Sequence, residues 1–159
     1  RLASTLVTEF KDKTFNENQI NIKLRGSAGQ SLGAFTVQGI NLEVIGDCND
    51  YVGKGLSGGT IIVRPARATE IETEKNTIIG NTVLYGATSG KLFAAGQAGE
   101  RFAVRNSGAT AVVEGCVTIG GGSWPGGTAV FLGEVGRPKG RRVGKGCGSG
   151  GWRYIKKKN

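Results

Sequence analysis

The sequence contains no histidine and no methionine among its 159 residues, and only three cysteines. Without histidine, neither a Ser-His-Asp nor a Cys-His catalytic arrangement can form, and the commonest metal ligand is missing. Cys48, Cys116 and Cys147 are odd in number, widely spaced, and include no Cys-x-x-Cys pair. We therefore expect no disulfide framework and no zinc or iron–sulfur site, but three small packed residues of a protein in a reducing compartment.

Long apolar segments are also missing. No run approaches the roughly 18 residues of a membrane-spanning helix, and the N-terminus lacks the apolar region of a secretory signal. The sequence therefore predicts a soluble chain with no membrane partner. Since residue 1 is Arg and methionine is absent, we also expect this chain to be a piece of a longer polypeptide.

Acidic residues are absent from the C-terminal part. The formal net charge of +9 arises there, because residues 1–136 carry 12 basic and 12 acidic side chains, whereas residues 137–159 carry nine basic ones and no acid. Such a block can bind phosphate backbones, but a terminal basic run more often is a solvated tail or contacts an acidic partner. Only Trp152 and Tyr154 are interleaved with it, so nucleic-acid binding is not predicted.

Glycine is abundant, with 29 residues, and it marks a repeat. Six times a glycine precedes a short run of strand-forming residues, at steps of 20, 31, 18, 19 and 24 residues. These steps indicate a repeat of about nineteen residues with two insertions, and units this short bury an apolar face only by stacking. The six runs are 39–46, 59–63, 90–96, 108–115, 127–133 and 151–155.

The local patterns predict one helix followed by strands alone. Apolar residues at helical spacing predict a short amphipathic helix over residues 2–12, and the alternation in Ile20–Leu24 predicts the first strand. We expect each coil to hold a second short strand as well, and we expect Ile62, Leu92, Val112 and Val130 to occupy comparable core positions. The second strands are predicted at 51–52, 77–79, 82–85, 101–104 and 116–119.

The glycine spacings and polar clusters do not indicate a catalytic or cofactor site. Nucleotide-binding glycine motifs need a following helix, and here strand-like residues follow Gly26–Gly33 and Gly53–Gly58. The polar clusters Asp47–Tyr51, Ile79–Thr82 and Arg105–Gly108 are expected at coil corners, where Asn and Asp bond their own backbone. Paired catalytic carboxylates at Asp47 and Asp50, or a Glu100–Arg101 site on a strand, are not favoured, so no catalytic, cofactor-binding or metal-binding residue is assigned.

Four segments resemble one known family. Together they are similar to the C-terminal glycine-repeat domain of the glutamate synthase large subunit, over about residues 15 to 136. The resemblance implies an all-β, right-handed parallel β-helix. The segments are Gly-Ser-Ala-Gly-Gln-Ser-Leu-Gly-Ala-Phe at 26–35, Gly-Asp-Cys-Asn-Asp-Tyr-Val-Gly-Lys-Gly-Leu-Ser-Gly-Gly at 46–59, Ile-Ile-Gly-Asn-Thr-Val-Leu-Tyr-Gly-Ala-Thr-Ser-Gly at 78–90 and Ala-Gly-Glu-Arg-Phe-Ala-Val-Arg-Asn-Ser-Gly-Ala at 98–109.

The resemblance implies a structural role inside an enzyme. Glutamate synthase converts L-glutamine and 2-oxoglutarate into two L-glutamates, using an amidotransferase domain, an internal ammonia tunnel and an FMN-binding synthase domain. The family's nucleophile, FMN contacts and iron–sulfur cysteines match no position of this chain. The implied role is a rigid, non-catalytic spacer against those domains, with the small electron-transfer subunit or ferredoxin as further partners, in the cytoplasm or the plastid stroma.

The similarity weakens after Gly115, where Cys116 to Pro125 keeps the family's length but not its residue types, and a basic stretch follows Gly136. The expected division is a helix and connector at 1–19, the β-helix at 20–155 and a basic tail at 156–159. A β-helix subunit of a formylmethanofuran-dehydrogenase-like complex and a stand-alone binding module remain alternatives. A β-helix hydrolase of acidic polysaccharides is disfavoured by the neutral body and the missing histidine.

Overall fold

The computed structural model describes residues 2–9, 16, 19–66, 72–119, 126–133, 135–136 and 151–154, the last four by their backbone alone. Within these ranges the chain has one α-helix, α1, a short 3-10 helix and eight strands. The elements are α1 Leu2–Glu9, β1 Ile20–Arg25, β2 Ile40–Ile45, β3 Ser57–Arg64, the 3-10 helix Thr73–Lys75, β4 Thr77–Ile79, β5 Ser89–Ala98, β6 Thr110–Cys116, β7 Thr128–Phe131 and β8 Gly151–Tyr154.

The strands form a parallel β-solenoid. Seven of them make one sheet in the order β1–β2–β3–β5–β6–β7–β8, and β4 pairs with β5. Every one of these pairings is parallel. Neighbouring strands of the main sheet are therefore separated by one coil of chain. The stacked coils predicted from the repeat and the all-β parallel β-helix implied by the family resemblance are confirmed.

Most predicted elements coincide with observed ones. Each of the six glycine-led runs overlaps a strand, and the predicted strand at 77–79 is β4. The helix ends at Glu9, and residues 10–12 of its predicted span lie outside the described residues, as does the boundary predicted at 155. Within α1, Leu6 is buried while its neighbours are not.

The second strands predicted at 51–52, 82–85 and 101–104 are wrong. These segments are turns in which every second residue adopts the left-handed backbone conformation, with φ between +56° and +66°. Four corners share this pattern, and they follow one another at steps of 20, 31 and 19 residues. The left-handed residues are Ser31, Gly33 and Phe35; Tyr51, Gly53 and Gly55; Thr82, Leu84 and Gly86; and Arg101, Ala103 and Arg105.

Hydrogen bonds between coils explain why these residues accept an uncommon conformation. In the second corner, the Tyr51 and Gly55 N–H groups donate to the Asn81 and Tyr85 carbonyls of the next coil, each at 2.9 Å. The Gly53 N–H donates to Leu32 of the preceding coil at 2.9 Å. Since the corner is bonded on both sides, the cost of a left-handed residue, about 1–2 kcal/mol, is offset by these hydrogen bonds.

The inward-facing columns form the core. One column runs through Leu42, Ile61, Leu92, Ala111 and Ala129, and of these only Leu42 retains measurable exposure. The expectation that Leu92 shares a position with Ile62, Val112 and Val130 is therefore wrong. Their partner on β5 is Phe93, and that column faces outward. Because Leu92 and Phe93 are both apolar, alternation alone could not tell which of them points inward.

Two cysteines belong to this core. Cys48 and Cys116 are free and buried, and burial raises the pKa of each thiol to about 12; for Cys48 the nearby Asp47 carboxylate contributes to the shift. Between them in the stack lie Ile79 and Ala98. With strands about 4.8 Å apart, the two cysteines are roughly 14 Å apart, too far for a disulfide or a shared cluster.

Close backbone contact between coils fixes some glycines. A Cβ on Gly108 would lie 2.0 Å from the Thr88 carbonyl oxygen of the preceding coil, whereas a Cβ on Gly29 would meet nothing within 4 Å. Gly58 combines a φ of +130° with a Cβ position 3.0 Å from the Gln38 nitrogen. Close approach of a neighbouring backbone and an unusual φ therefore both account for glycines in the stack.

Replacing Gly108 by Ala should lower the free energy of unfolding by about 1–3 kcal/mol, because the methyl group displaces a neighbouring coil. Val at Gly58 or Gly108 should cost at least as much. Gly29→Ala is the matched control and should change stability by less than about 0.5 kcal/mol. Urea unfolding followed by circular dichroism gives the values. Equal stabilities for the Gly108 and Gly29 variants would contradict the close packing of coils.

The core thiols should resist alkylation. In native protein at pH 8, iodoacetamide should leave Cys48 and Cys116 unmodified, because they are buried and their raised pKa keeps them protonated. In guanidinium both should react at least about a hundredfold faster. Since the pKa of each thiol is raised in the folded state, stability should hold below pH 9 and fall as the pH rises towards 12. Peptide mass spectrometry showing either thiol modified in native protein would contradict this placement.

Candidate functional site

Polar side chains gather at one corner of the solenoid, as the sequence predicted. There they form a ladder that runs from coil to coil. Asp50 Oδ1 accepts the Asn81 backbone N–H at 2.7 Å, and Asn81 Oδ1 accepts the Glu100 N–H, also at 2.7 Å. The Thr118 hydroxyl accepts the Arg101 N–H at 3.1 Å. Asp50 and Asn81 each accept a backbone donor of the next coil, and Thr118 accepts one of the preceding coil.

This ladder was not foreseen, although a signal for it exists in the sequence. Asp50, Asn81 and Glu100 follow one another at steps of 31 and 19 residues, the same steps that separate successive left-handed corners. Aligning the repeat by its corners, rather than by its strand-leading glycines, brings the three residues into one column. Asp50 was considered only together with Asp47, its neighbour in sequence.

Asn106 is the one fully buried polar residue among those the structure describes. Its Oδ1 accepts the N–H groups of Gly108 and Ala109 at 3.3 and 2.9 Å, and its Nδ2 donates to the Ala109 carbonyl at 2.9 Å. A Cβ on Gly127 would lie 2.6 Å from this Nδ2, which leaves no room for a ligand on that side. The side chain is thus fully engaged in shaping the turn before β6.

Asp47 and Asp50 do not form a catalytic pair. The Asp47 carboxylate accepts a hydrogen bond from the Ser27 hydroxyl at 2.5 Å, whereas the Asp50 carboxylate bonds to the next coil. Of the described residues that line a cavity of about 330 Å³ between Ile45, Asn76 and Ala95, Asp47 is also the only ionisable one. A general acid–base mechanism needs a second positioned group, and the described lining offers none.

Glu100 and Arg101 lie in a corner and not on a strand as the sequence predicts. Arg101 has a φ of +56°, and both side chains are exposed. Nearby corners carry paired cations and aromatic rings, with the Arg105 guanidinium 5.7 Å from the Tyr85 ring centroid and Lys54 Nζ 5.8 Å from that of Tyr51. These contacts at the surface are consistent with packing and do not form a pocket.

An ion-pair cluster lies on the outer face of the first three strands. Glu43 Oε1 is 2.7 Å from Arg64 Nη2, and Glu43 Oε2 is 3.3 Å from Lys23 Nζ. The hydrogen bond from Arg64 lowers the pKa of the Glu43 carboxyl, and Lys23 adds to the effect. Its three members come from three successive coils, so the cluster joins coils rather than forming a binding site.

Across the described residues, no group of three or more Cys, Asp or Glu side chains could hold a metal ion. An iron–sulfur cluster would need several thiolates, and Cys48 and Cys116 are too far apart to share one. Within the same residues, the glycine motifs at 26–33 and 53–58 are followed by a turn or a strand rather than by a helix. No helix there has the length and apolarity to cross a bilayer.

Comparison with known proteins adds the family. The model of the GXGXG motif family matches residues 1–159. The chain is 69% identical over 133 residues to the glutamate synthase [NADPH] large chain of Azospirillum brasilense. These residues make up 84% of this chain and 9% of the relative. The chain is 50% identical over 137 residues to ferredoxin-dependent glutamate synthase 1 of Arabidopsis thaliana, covering 86% of this chain and 8% of that protein.

Similarity also extends into the basic C-terminal part. Against ferredoxin-dependent glutamate synthase of Pyropia yezoensis the identity is 49% over 155 residues, which covers 98% of this chain and 10% of the relative. The chain thus spans about a tenth of the length of these relatives. With its stacked coils, its glycine-led strands and a family match over its whole length, this chain belongs to the GXGXG motif family.

Proposed function

We propose that this chain is a non-catalytic structural domain of a glutamate synthase large chain. In this role it is a rigid spacer that packs against the amidotransferase domain and the FMN-binding synthase domain of the same enzyme. The enzyme would form two L-glutamates from L-glutamine and 2-oxoglutarate. The spacer would hold the amidotransferase and synthase sites in fixed relative positions for ammonia transfer.

One observation carries the proposal: the polar side chains that could have made a site are engaged in holding the coils together. Asp50 and Asn81 bond to the next coil, and Asn106 bonds within its own turn. A solenoid with bonded corners resists bending, because a change in coil spacing would break hydrogen bonds at several points of each coil. Rigidity is the property that a spacer needs.

The remaining parts of the proposal follow from the relatives. FMN and an iron–sulfur cluster would belong to other domains of the enzyme, since the described part of this chain offers no ligand set that fits either. The electron donor would reach the enzyme through a small electron-transfer subunit or ferredoxin. The location would be the cytoplasm, or the plastid stroma in a plant. The relatives named above are all glutamate synthases, which supports this host over a formylmethanofuran-dehydrogenase-like complex.

The proposal can be tested in the Azospirillum brasilense large chain, with this chain in place of the segment that it matches. Gly108→Val should uncouple the enzyme, so that the ratio of glutamine hydrolysed to glutamate formed rises by at least about twofold, because a loosened spacer lets ammonia escape. Gly29→Ala is the matched control and should keep the ratio of the unmodified hybrid. Both rates are measured on the same preparation.

Two outcomes would contradict the spacer role. One is unchanged coupling in a Gly108→Val hybrid whose unfolding midpoint has fallen. The other is a loss of glutaminase turnover by the amidotransferase domain while the fold and the coupling stay intact. Stoichiometric FMN bound to residues 1–159 alone would equally contradict a domain without its own chemistry.

Asp50 offers a separate test of the claim that the domain has no catalytic acid. Asp50→Asn keeps a side-chain oxygen for the Asn81 N–H, so activity of the hybrid enzyme should change by less than about twofold. Asp50→Ala removes the acceptor and should lower the free energy of unfolding by about 1 kcal/mol. If Asp50→Asn abolished activity without affecting stability, Asp50 would have a catalytic role.

A further inference from the structure

The outer face of the sheet carries a column of aligned side chains, one from each coil. Because side chains alternate between the two faces of a strand, residues in register lie side by side on the same face. The column changes character along the solenoid: it begins with two charged residues and continues with four apolar ones. In order, it contains Lys23, Glu43, Ile62, Phe93, Val112 and Val130, and the next register position, on β8, is Arg153.

The charged residues at the beginning of the column form ion pairs with neighbouring strands. Lys23 and Glu43 bond to each other, and Arg64 from the third strand bonds to Glu43 on its other side. Charged side chains of this kind are usual on the solvated face of a sheet. The first two coils therefore need no further partner at this position.

The apolar part of the column, here called the outer stripe, consists of Ile62, Phe93, Val112 and Val130. Phe93 is 39% exposed, and the other three are half-buried by their neighbours in the stripe and on either side. At strand spacing, the four positions span roughly 14 Å. Beside it runs a polar column on the same face, formed by Asn41, Thr60, Lys91, Thr110 and Thr128.

The outer stripe is unusual for a face in water. In a sheet with one solvated face, apolar residues alternate with polar ones, whereas strands covered on both faces contain continuous apolar runs. From β3 to β7 the strands of the main sheet contain continuous apolar runs, as in Ile61-Ile62-Val63 and Ala111-Val112-Val113. An apolar centre with a hydrogen-bonding border is also the arrangement found in protein interfaces.

We propose that the outer stripe is the surface by which this domain docks against an apolar surface of another domain of the same large chain. The inference rests on the proposed function and adds which face makes the contact. The length of the relatives indicates the occupant. About nine-tenths of each relative lies outside the matched segment, so this domain has neighbours in its own polypeptide. The ion pairs at Lys23, Glu43 and Arg64 mark where the docking footprint ends.

The test is cysteine labelling of the hybrid large chain. In a Phe93→Cys variant, a maleimide should react at position 93 at least about tenfold more slowly in the assembled enzyme than in the isolated 159-residue chain, because docking covers the site. Position 93 is read from the tryptic peptide 92–101. Unmodified Cys48 and Cys116 in the same sample verify that the isolated chain is folded.

A matched control reports on general exposure. Val117 is 44% exposed and lies outside the outer stripe, so Val117→Cys should react about as fast as Phe93→Cys in the isolated folded chain. Equal labelling of position 93 in the enzyme and in the isolated chain would overturn the docking proposal, whether both rates are fast or both are slow. Protection that disappears on dilution of the enzyme would also overturn it, since a second copy would then be the occupant.

The labelling outcome is independent of the spacer role. If position 93 is protected but Gly108→Val leaves ammonia transfer coupled, the docking face stands and the spacer role fails. If Gly108→Val uncouples the enzyme while position 93 labels freely, the spacer role stands and the docking face lies elsewhere. The two proposals therefore fail separately.

Discussion

The structure depends on backbone hydrogen bonds that run between coils, along the solenoid axis. Strands supply them in the sheet, and the left-handed corners supply them where a loop would otherwise leave N–H and carbonyl groups unpaired. Because every coil is bonded to both neighbours, the backbone path of one coil restricts the next. This restriction explains why a carbonyl oxygen lies only 2.0 Å from where a Cβ on Gly108 would be, and why eight of the described residues other than glycine adopt a positive φ.

Much of the fold follows from the sequence, because its repeat has a direct physical meaning. The glycine-led apolar runs predict six of the strands at their observed positions. The corners could not be predicted in the same way. Segments such as Thr82–Tyr85 contain β-branched and aromatic residues that favour strands, and only the bonds to adjacent coils turn them into left-handed turns. The side on which Leu92 and Phe93 point was ambiguous for a related reason, since both are apolar.

The lack of a predicted active site has a physical counterpart in the structure. Asp50, Asn81 and Asn106 are residue types that occur in catalytic sites, yet each is engaged with backbone groups. The sequence predicts all three at corners. It does not show that Asp50 and Asn81 bond to backbone groups 31 and 19 residues further along the chain. What distinguishes this domain is its outer surface, where charged residues give way to the outer stripe. A domain of this kind contributes to an enzyme through its shape and its contacts.

The central claim is that the corners are rigid structural elements bonded from coil to coil. Native-state hydrogen exchange of the Gly53, Leu84 and Ala103 amides tests it most directly, because each donates to the preceding coil at 2.8 to 2.9 Å. The account predicts that these amides exchange as slowly as those in the middle of β5, by global unfolding or nearly so. Exchange at the rate of an exposed loop, while the β5 amides stay protected, would contradict it.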